Sequence, residues 1–204
     1  MKDRDIVSEI HIYGLDVKNR EIYLNEFDDS GESAGVDHRM LQTFLKNIRI
    51  LNFSNKTEPA TIHLQTIGGC WYAGMGIYDA ITSCEFDVTI VGYSQICSMG
   101  TVIMQAASKR LICPNAVFMC HFGSTDASGD YQSSQNYSAL DKKNAEKMLS
   151  IYAEKCSETG EFFLEREYNV SKTKQYIKRK LKDGDWYLSA EEAVYYGFVD
   201  GIAE

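Results

Sequence analysis

The chain reads Ser94-Gln95-Ile96-Cys97-Ser98-Met99-Gly100-Thr101 where a β-branched run, Val88–Val91, gives way to an apolar helical pattern. This pattern places Ser98 at a corner between a strand and a helix. A helix N-terminus presents unpaired backbone N–H groups and the positive end of the helix dipole, so a hydroxyl there can become an oxyanion-stabilised nucleophile. An ordinary capping serine is the alternative, because Ser is a preferred N-cap residue.

Two further polar residues follow predicted strands or turns. His121 comes directly after the strand Ala116–Cys120, where a general base would be held rigidly and stay exposed. Asp185 ends the turn Lys182–Asp185 and could orient an imidazole. Each has a plainer alternative: a half-buried structural histidine and an ordinary turn aspartate.

A glycine turn supplies a fourth element. The strand Thr61–Gln65 runs into Thr66-Ile67-Gly68-Gly69 before a helix over Tyr72–Ser83. Paired glycines allow positive φ and close backbone approach, so the Gly69 N–H could face a reacting carbonyl; a simple connecting turn is the alternative. The order Ser, His, Asp excludes no triad, since triads are recognised by geometry. Ile96 stands where the α/β-hydrolase motif has glycine, which argues against that fold.

These segments together resemble the Clp peptidase family, the ClpP-type serine proteases of the crotonase-like superfamily. The similar segments are the nucleophile motif Cys97–Gly100, the glycine turn Gln65–Gly69 with the helix start Ala73–Asp79, the strand Pro114–His121 and the closing segment Asp185–Asp200. The resemblance extends from about Glu21 to the C-terminus. It identifies the chain as a divergent member of the family.

The resemblance implies an α/β, crotonase-like fold in one domain, residues 1–204, with repeated strand-helix units, a largely parallel sheet and a handle region at about 122–157. It implies a serine endopeptidase that cleaves peptides or unfolded polypeptides inside an oligomeric chamber, without cofactor or metal. Position by position, it assigns the nucleophile to Ser98, the general base to His121, the orienting acid to Asp185, and the oxyanion hole to the backbone N–H groups of Gly69 and Met99. Asp183 competes with Asp185, but the spacing to Leu188-Ser189-Ala190 favours Asp185.

Several positions depart from the family pattern. Ile67 replaces the proline before the glycines, and Cys97 replaces an alanine and offers a rival nucleophile, although the motif favours Ser98. Phe122-Gly123 replaces a Gln-Pro pair beside the strand that pairs with substrate, which leaves peptide selectivity open. Residues 1–19 are divergent: Ile6–Tyr13 alternates like a strand and does not resemble the family's axial loop. This argues against docking of an AAA+ unfoldase.

The remaining segments predict helices with recognisable ends. Asp37 precedes a helix, a long helix covers about 135–155, and shorter ones lie near 161–168 and 171–181. Ser189 and Glu192 form a capping-box pattern. The long helix either packs on the core or, by resemblance, joins two rings through its apolar stripe. The basic helix near 171–181 reads as a solvated face.

Bulk properties narrow the function classes. With 204 residues and 44% hydrophobic content the chain can bury a core as one unit, and a net charge of −8 disfavours nucleic-acid and anionic-membrane binding. No apolar span or signal peptide is evident, and six cysteines without Cys-x-x-Cys spacing indicate reduced thiols, so we expect a cytoplasmic protein. By resemblance we expect a homo-oligomer of heptameric rings.

Two alternatives to a peptidase stay open. One is a catalytically idle ClpP-like ring subunit, although such relatives usually lack a triad residue. The other is a crotonase-like acyl-CoA enzyme, whose two backbone N–H groups bind a thioester oxyanion; that chemistry does not call for Ser98, His121 and Asp185.

Overall fold

A largely parallel eight-stranded sheet forms the centre of the computed structural model, which describes residues 8, 10–24, 35–124 and 130–204. The strands are β1 (Leu15–Asp16), β2 (Glu21–Leu24), β3 (Ala60–Thr66), β4 (Val88–Cys97), β5 (Lys109–Ile112), β6 (Val117–Cys120), β7 (Trp186–Leu188) and β8 (Gly201–Ile202). The helices are α1 (residues 10–13), α2 (His38–Ser54), α3 (Trp71–Thr82), α4 (Met99–Met104), α5 (Tyr131–Thr159), α6 (Glu161–Leu164), α7 (Val170–Lys182) and α8 (Ala190–Tyr195). The predicted α/β class and largely parallel sheet are confirmed.

The long strand β4 divides its pairing between two neighbours. The sheet runs β1-β2-β3-β4-β5-β8, and β4 pairs with β5 through Thr89–Gly92. Its second half, Gln95–Cys97, pairs in parallel with β6. Ser94 lies between the two halves with a φ of 55°. Strand β7 then pairs antiparallel with β6, so the carboxyl ends of β4 and β6 and the start of β7 lie side by side.

Helices α2 and α5 show how the sequence sets helix starts and buried faces. Asp37 caps α2 by accepting a hydrogen bond from the Met40 N–H, as predicted, and the buried side chains of α2 follow the helical period. Asp130 caps α5, which therefore begins before residue 135. The buried residues of α5 all lie in its second half: Met148, Leu149, Ile151, Tyr152, Ala153 and Cys156. Its first half is largely exposed.

The predicted strand over Ile6–Tyr13 is wrong in its described part. Residues 10–13 are helical, while residues 6, 7 and 9 lie outside the described residues, as does the predicted linker 28–34. Gly14 ends the helix: it has a φ of 60° and its N–H donates to the Ile10 carbonyl at 3.0 Å. A glycine in this conformation is a common helix C-terminal residue, and it is a stronger signal than the short alternating run that precedes it.

Within the described residues, no helix is both long and apolar enough to cross a membrane. All six cysteines are free thiols, as the absence of paired spacing predicts.

Candidate active site

Ser98 occupies the corner between β4 and α4. Its backbone has φ 52° and ψ −119°, a conformation that is strained for a residue other than glycine. The Ser98 N–H donates to the Met119 carbonyl at 2.8 Å and the Ser98 carbonyl accepts from the Thr101 N–H at 3.0 Å. The side chain makes no capping hydrogen bond to the described helix. The interpretation of Ser98 as a side-chain cap is therefore wrong, and its hydroxyl is left free for other partners.

His121 and Asp185 meet because β6 and β7 are antiparallel. Cys120 pairs with Trp186, so the next residue on β6 and the preceding residue on β7 lie opposite each other. The distance from His121 Nε2 to Ser98 Oγ is 2.7 Å, and that from His121 Nδ1 to Asp185 Oδ1 is 3.2 Å. The structure thus brings together the three residues that the sequence singled out.

The imidazole can serve both neighbours in one tautomer. With its proton on Nδ1, His121 donates to the Asp185 carboxylate and accepts from the Ser98 hydroxyl at Nε2. The side chains of His121 and Asp185 are 27% and 48% exposed, so both remain accessible to solvent. Asp183, the rival acid, instead ends α7, where its N–H donates to the Lys180 carbonyl.

The glycine turn lies against Ser98 and is fixed by Val36. The Val36 N–H donates to the Gly68 carbonyl at 2.7 Å, and the Val36 carbonyl accepts from the Cys70 N–H at 2.7 Å. In this parallel bridge between Val36 and Gly69, the Gly69 N–H points away from Val36. Gly69 has a φ of 147°. The Met99 N–H belongs to the first turn of α4, where no intrahelical acceptor is available, and it donates to no backbone carbonyl of the described residues.

Cys97, the rival nucleophile, is poorly suited to that role. Its side chain is buried, with 7% exposure. Burial raises the pKa of the Cys97 thiol, and the negative charge of Asp185 raises it further. A thiol must ionise to become a good nucleophile, so Cys97 stays protonated and unreactive near neutral pH.

An open cleft of about 720 Å³ lies in front of Ser98 and His121. Its walls combine apolar and polar side chains, and the residues outside the predicted site are Cys70, Trp71, Val102, Phe122, Gly123, Ser124, Ser138, Asp141, Lys142, Asn144, Ala145 and Met148. The helix α5 supplies the last six of these. Sequence reasoning missed this wall, although the spacing of Asp141, Ala145 and Met148 is helical. It also missed the role of Val36 in holding the glycine turn, because Val36 belongs to no recognisable local motif.

Nothing in the described part of the chain forms a cluster of three or more His, Cys, Asp or Glu side chains that could hold a metal ion. The arrangement of a hydroxyl, an imidazole, a carboxylate and the backbone N–H groups of Gly69 and Met99 suits acyl transfer through a serine nucleophile.

Comparison with known proteins identifies the family of this chain. The sequence profile of the Clp protease family matches residues 10–204, so the similarity begins before Glu21. The ATP-dependent Clp protease proteolytic subunit of Streptococcus equi subsp. equi (strain 4047) is 29% identical over 199 residues, covering 95% of this chain and 89% of the relative. The subunit with the same name from Streptococcus pyogenes serotype M5 (strain Manfredo) is 28% identical over the same length, with the same coverage.

A solved structure of a ClpP1 mutant from Listeria monocytogenes has the same fold, with a TM-score of 0.73 and 23% sequence identity. The alignment covers 92% of this chain and 93% of that one. The family match spans nearly the whole chain and includes every residue of the candidate site, and on that evidence this chain belongs to the Clp protease family.

Proposed function

We propose that this chain is a serine endopeptidase that cleaves peptides or unfolded polypeptides, with Ser98 as nucleophile, His121 as general base and Asp185 as the orienting acid. One observation carries the proposal: the His121 Nε2 lies 2.7 Å from the Ser98 Oγ on a serine whose side chain no helix cap occupies. That distance allows direct proton transfer from the hydroxyl to the imidazole.

The reaction begins when Ser98 attacks a peptide carbonyl and passes its proton to His121. The resulting imidazolium is stabilised by the Asp185 carboxylate across the 3.2 Å contact. His121 then protonates the leaving amine, and an acyl-enzyme forms on Ser98. Water, activated by the same imidazole, hydrolyses the ester and regenerates the hydroxyl. No cofactor takes part in these steps.

The negative charge that develops on the carbonyl oxygen needs fixed donors. The N–H groups of Gly69 and Met99 serve as this oxyanion hole. In the bridge between Val36 and Gly69, the Gly69 N–H points away from Val36 and can donate to another acceptor. The Met99 N–H is available because Met99 is the first residue of helix α4. Backbone donors in such positions contribute about 100–1,000-fold to turnover.

Assembly into a chamber is the second part of the proposal. Relatives of this chain are named ATP-dependent Clp protease proteolytic subunits, which supports a homo-oligomer, and the resemblance to the family implies that it forms a ring. The sequence contains no Gly-x-x-x-x-Gly-Lys-Ser/Thr segment, so ATP dependence would come from a separate chain. We expect short peptides to be hydrolysed without nucleotide.

A fluorophosphonate probe tests the proposal directly, because it labels only an activated serine. Wild-type protein and Cys97→Ala should be labelled and should cleave a small fluorogenic peptide. Ser98→Ala and His121→Ala should lose both signals while keeping the wild-type circular dichroism spectrum. Labelling that survives Ser98→Ala, or cleavage that Cys97→Ala abolishes, would show the nucleophile to be wrongly assigned. A folded wild-type protein that is never labelled would indicate an idle subunit.

A further inference from the structure

Helix α5 contributes a carboxylate to the cleft that the proposed chemistry does not use. Ser138, Asp141, Ala145 and Met148 recur at helical spacing and line the same wall. Met99 and Val102 of α4 line the same cleft. The polarity of the wall therefore increases along α5, from the buried Met148 through Ala145 to the charged Asp141.

The Asp141 carboxylate has no visible structural purpose. Its Oδ2 is shielded from solvent and accepts no hydrogen bond from any described residue. It forms no ion pair with a described Lys, Arg or His, and Lys142, the next residue, is exposed on the cleft rim. Asp130, not Asp141, caps the helix. Shielding an unpaired carboxylate costs free energy, so a residue retained there needs another explanation.

Glu146 on the same helix shows the contrast. Its carboxylate lies outside the cleft and pairs with both Lys174 and Lys178. The Glu146 carboxylate, which faces helix α7, is thus paired with two lysines, whereas the Asp141 carboxylate forms no ion pair with a described residue.

We infer that Asp141 is a specificity-determining residue that binds a substrate lysine or arginine side chain next to the scissile bond. This inference rests on the proposed function. The apolar stem of such a side chain packs on Met99, Val102 and Ala145, and its cationic head pairs with the Asp141 carboxylate, which then gains a charged partner. Lys and Arg combine an apolar stem with a charged head in this way, and hydrogen bonds between ionised groups are stronger than neutral ones.

Two measurements on the protein test this inference. The first is the distribution of cleavage sites in an unfolded protein, read by mass spectrometry. The second is the affinity of Ser98→Ala for fluorescent hexapeptides that carry Lys, Leu or Glu at the centre, which needs no hydrolysis. We expect Lys and Arg to be favoured over Leu about tenfold or more, next to the cleaved bond and in binding. Asp141→Asn should remove most of that preference, and Asp141→Lys should shift it toward Glu.

Glu158→Gln is the matched control, because it removes one negative charge from an exposed position of α5 that does not line the cleft. It should keep the wild-type preference and turnover. Ser98-dependent cleavage with no basic preference, or a preference that Asp141→Asn leaves unchanged, would overturn the inference while leaving the proposed peptidase intact. Asp141→Asn that changes oligomer size without changing peptide preference would mark Asp141 as an interface residue and also overturn it. Absence of fluorophosphonate labelling is the separate sign that the peptidase proposal itself fails.

Discussion

Gly68 leaves no room for a side chain beside Ser98. A Cβ at Gly68 would lie 2.4 Å from the Ser98 Cβ and 3.0 Å from its Oγ. Gly68 also has a φ of 98°, a backbone conformation that residues other than glycine rarely adopt. The glycine turn and the serine corner are therefore fitted to each other, and the turn does more than connect β3 to α3.

Gly68→Ala should inactivate the site without unfolding the protein. The new methyl group would push Ser98 away from His121, and a displacement of about 1 Å can cost roughly 100-fold in rate. We expect fluorophosphonate labelling to slow by about that factor or more. Gly201→Ala is the control, because its Cβ would meet only Leu111 Cδ2 at an ordinary 3.7 Å. Equal labelling rates in the two variants would contradict the idea that this close approach positions Ser98.

Local patterns predicted the parts of the site that local structure determines. The strand-to-helix corner at Ser98, the strand before His121 and the Ser189–Glu192 capping box all appear as predicted. Each depends on residues within a few positions of one another, so propensity and capping chemistry suffice. The assignment of catalytic roles came from resemblance to a family and not from these patterns.

The parts of the fold and the site that the sequence did not predict depend on contacts between distant segments. The three-residue strand β7 exists because it pairs with β6, and no alternation over Trp186–Leu188 is long enough to mark it. The same pairing sets Asp185 opposite His121. The misassigned strand near Tyr13 illustrates the converse, since a short alternating run carries little information once Gly14 ends a helix. The cleft-lining face of α5 needed the packed structure.

Asp185→Asn should reduce turnover without preventing substrate binding. The asparagine amide cannot stabilise the imidazolium and can favour the wrong His121 tautomer, which in serine proteases costs up to about 10⁴-fold in kcat. Because the Asp185 side chain is 48% exposed, we expect a loss of ~100-fold or more, with KM changed little. Steady-state kinetics on a fluorogenic peptide measures both. Asp183→Asn should behave like wild type, and the reverse pattern would show that Asp183 is the orienting acid.

Assembly should depend on the exposed apolar side chains of α2. Leu45 is 44% exposed and Phe53 is 76% exposed, and burying such side chains is the usual source of association free energy. We expect a ring, heptameric by family resemblance, in one or two layers, as seen by native mass spectrometry. Phe53→Ser should lower the oligomer's stability to dilution. A monomer at micromolar concentration in gentle buffer would contradict this expectation.

The contact between α5 and α7 should weaken in acid. Hydrogen bonds from Lys178 and Lys174 hold the pKa of Glu146 below its ordinary value of 4.5. A lowered folded-state pKa stabilises the protein above the unfolded value, and this stabilisation is lost as the pH falls through the folded value. Because the Glu146 side chain is 48% exposed, we expect only a few tenths to about 1 kcal/mol.

Thermal melting of Glu146→Gln and wild type across pH checks this expectation. The variant should melt lower at pH 7, and the difference should fade below the ordinary carboxylate pKa and in high salt. Glu158→Gln, on an exposed part of the same helix, should melt like wild type at every pH. A difference that persists in acid would mean that Glu146 acts through packing and not through its charge.

Removing residues 1–13 should destabilise the protein instead of opening a gate. The Asn47 side chain is 4% exposed and its Nδ2 donates to the Tyr13 carbonyl at 2.6 Å. Truncation removes that acceptor, and a buried amide without a partner costs about 1–3 kcal/mol. We therefore expect a lower melting temperature and weaker assembly, with no rise in peptide turnover per folded subunit. Adding Asn47→Leu to the truncated chain should recover part of the lost stability, because it removes the unpaired donor.

To test for a gate, turnover and oligomer size are compared for the full-length and truncated chains with and without an AAA+ unfoldase and ATP. Strong ATP-dependent stimulation of the full-length ring that disappears in an intact truncated ring would show that this segment gates a pore after all.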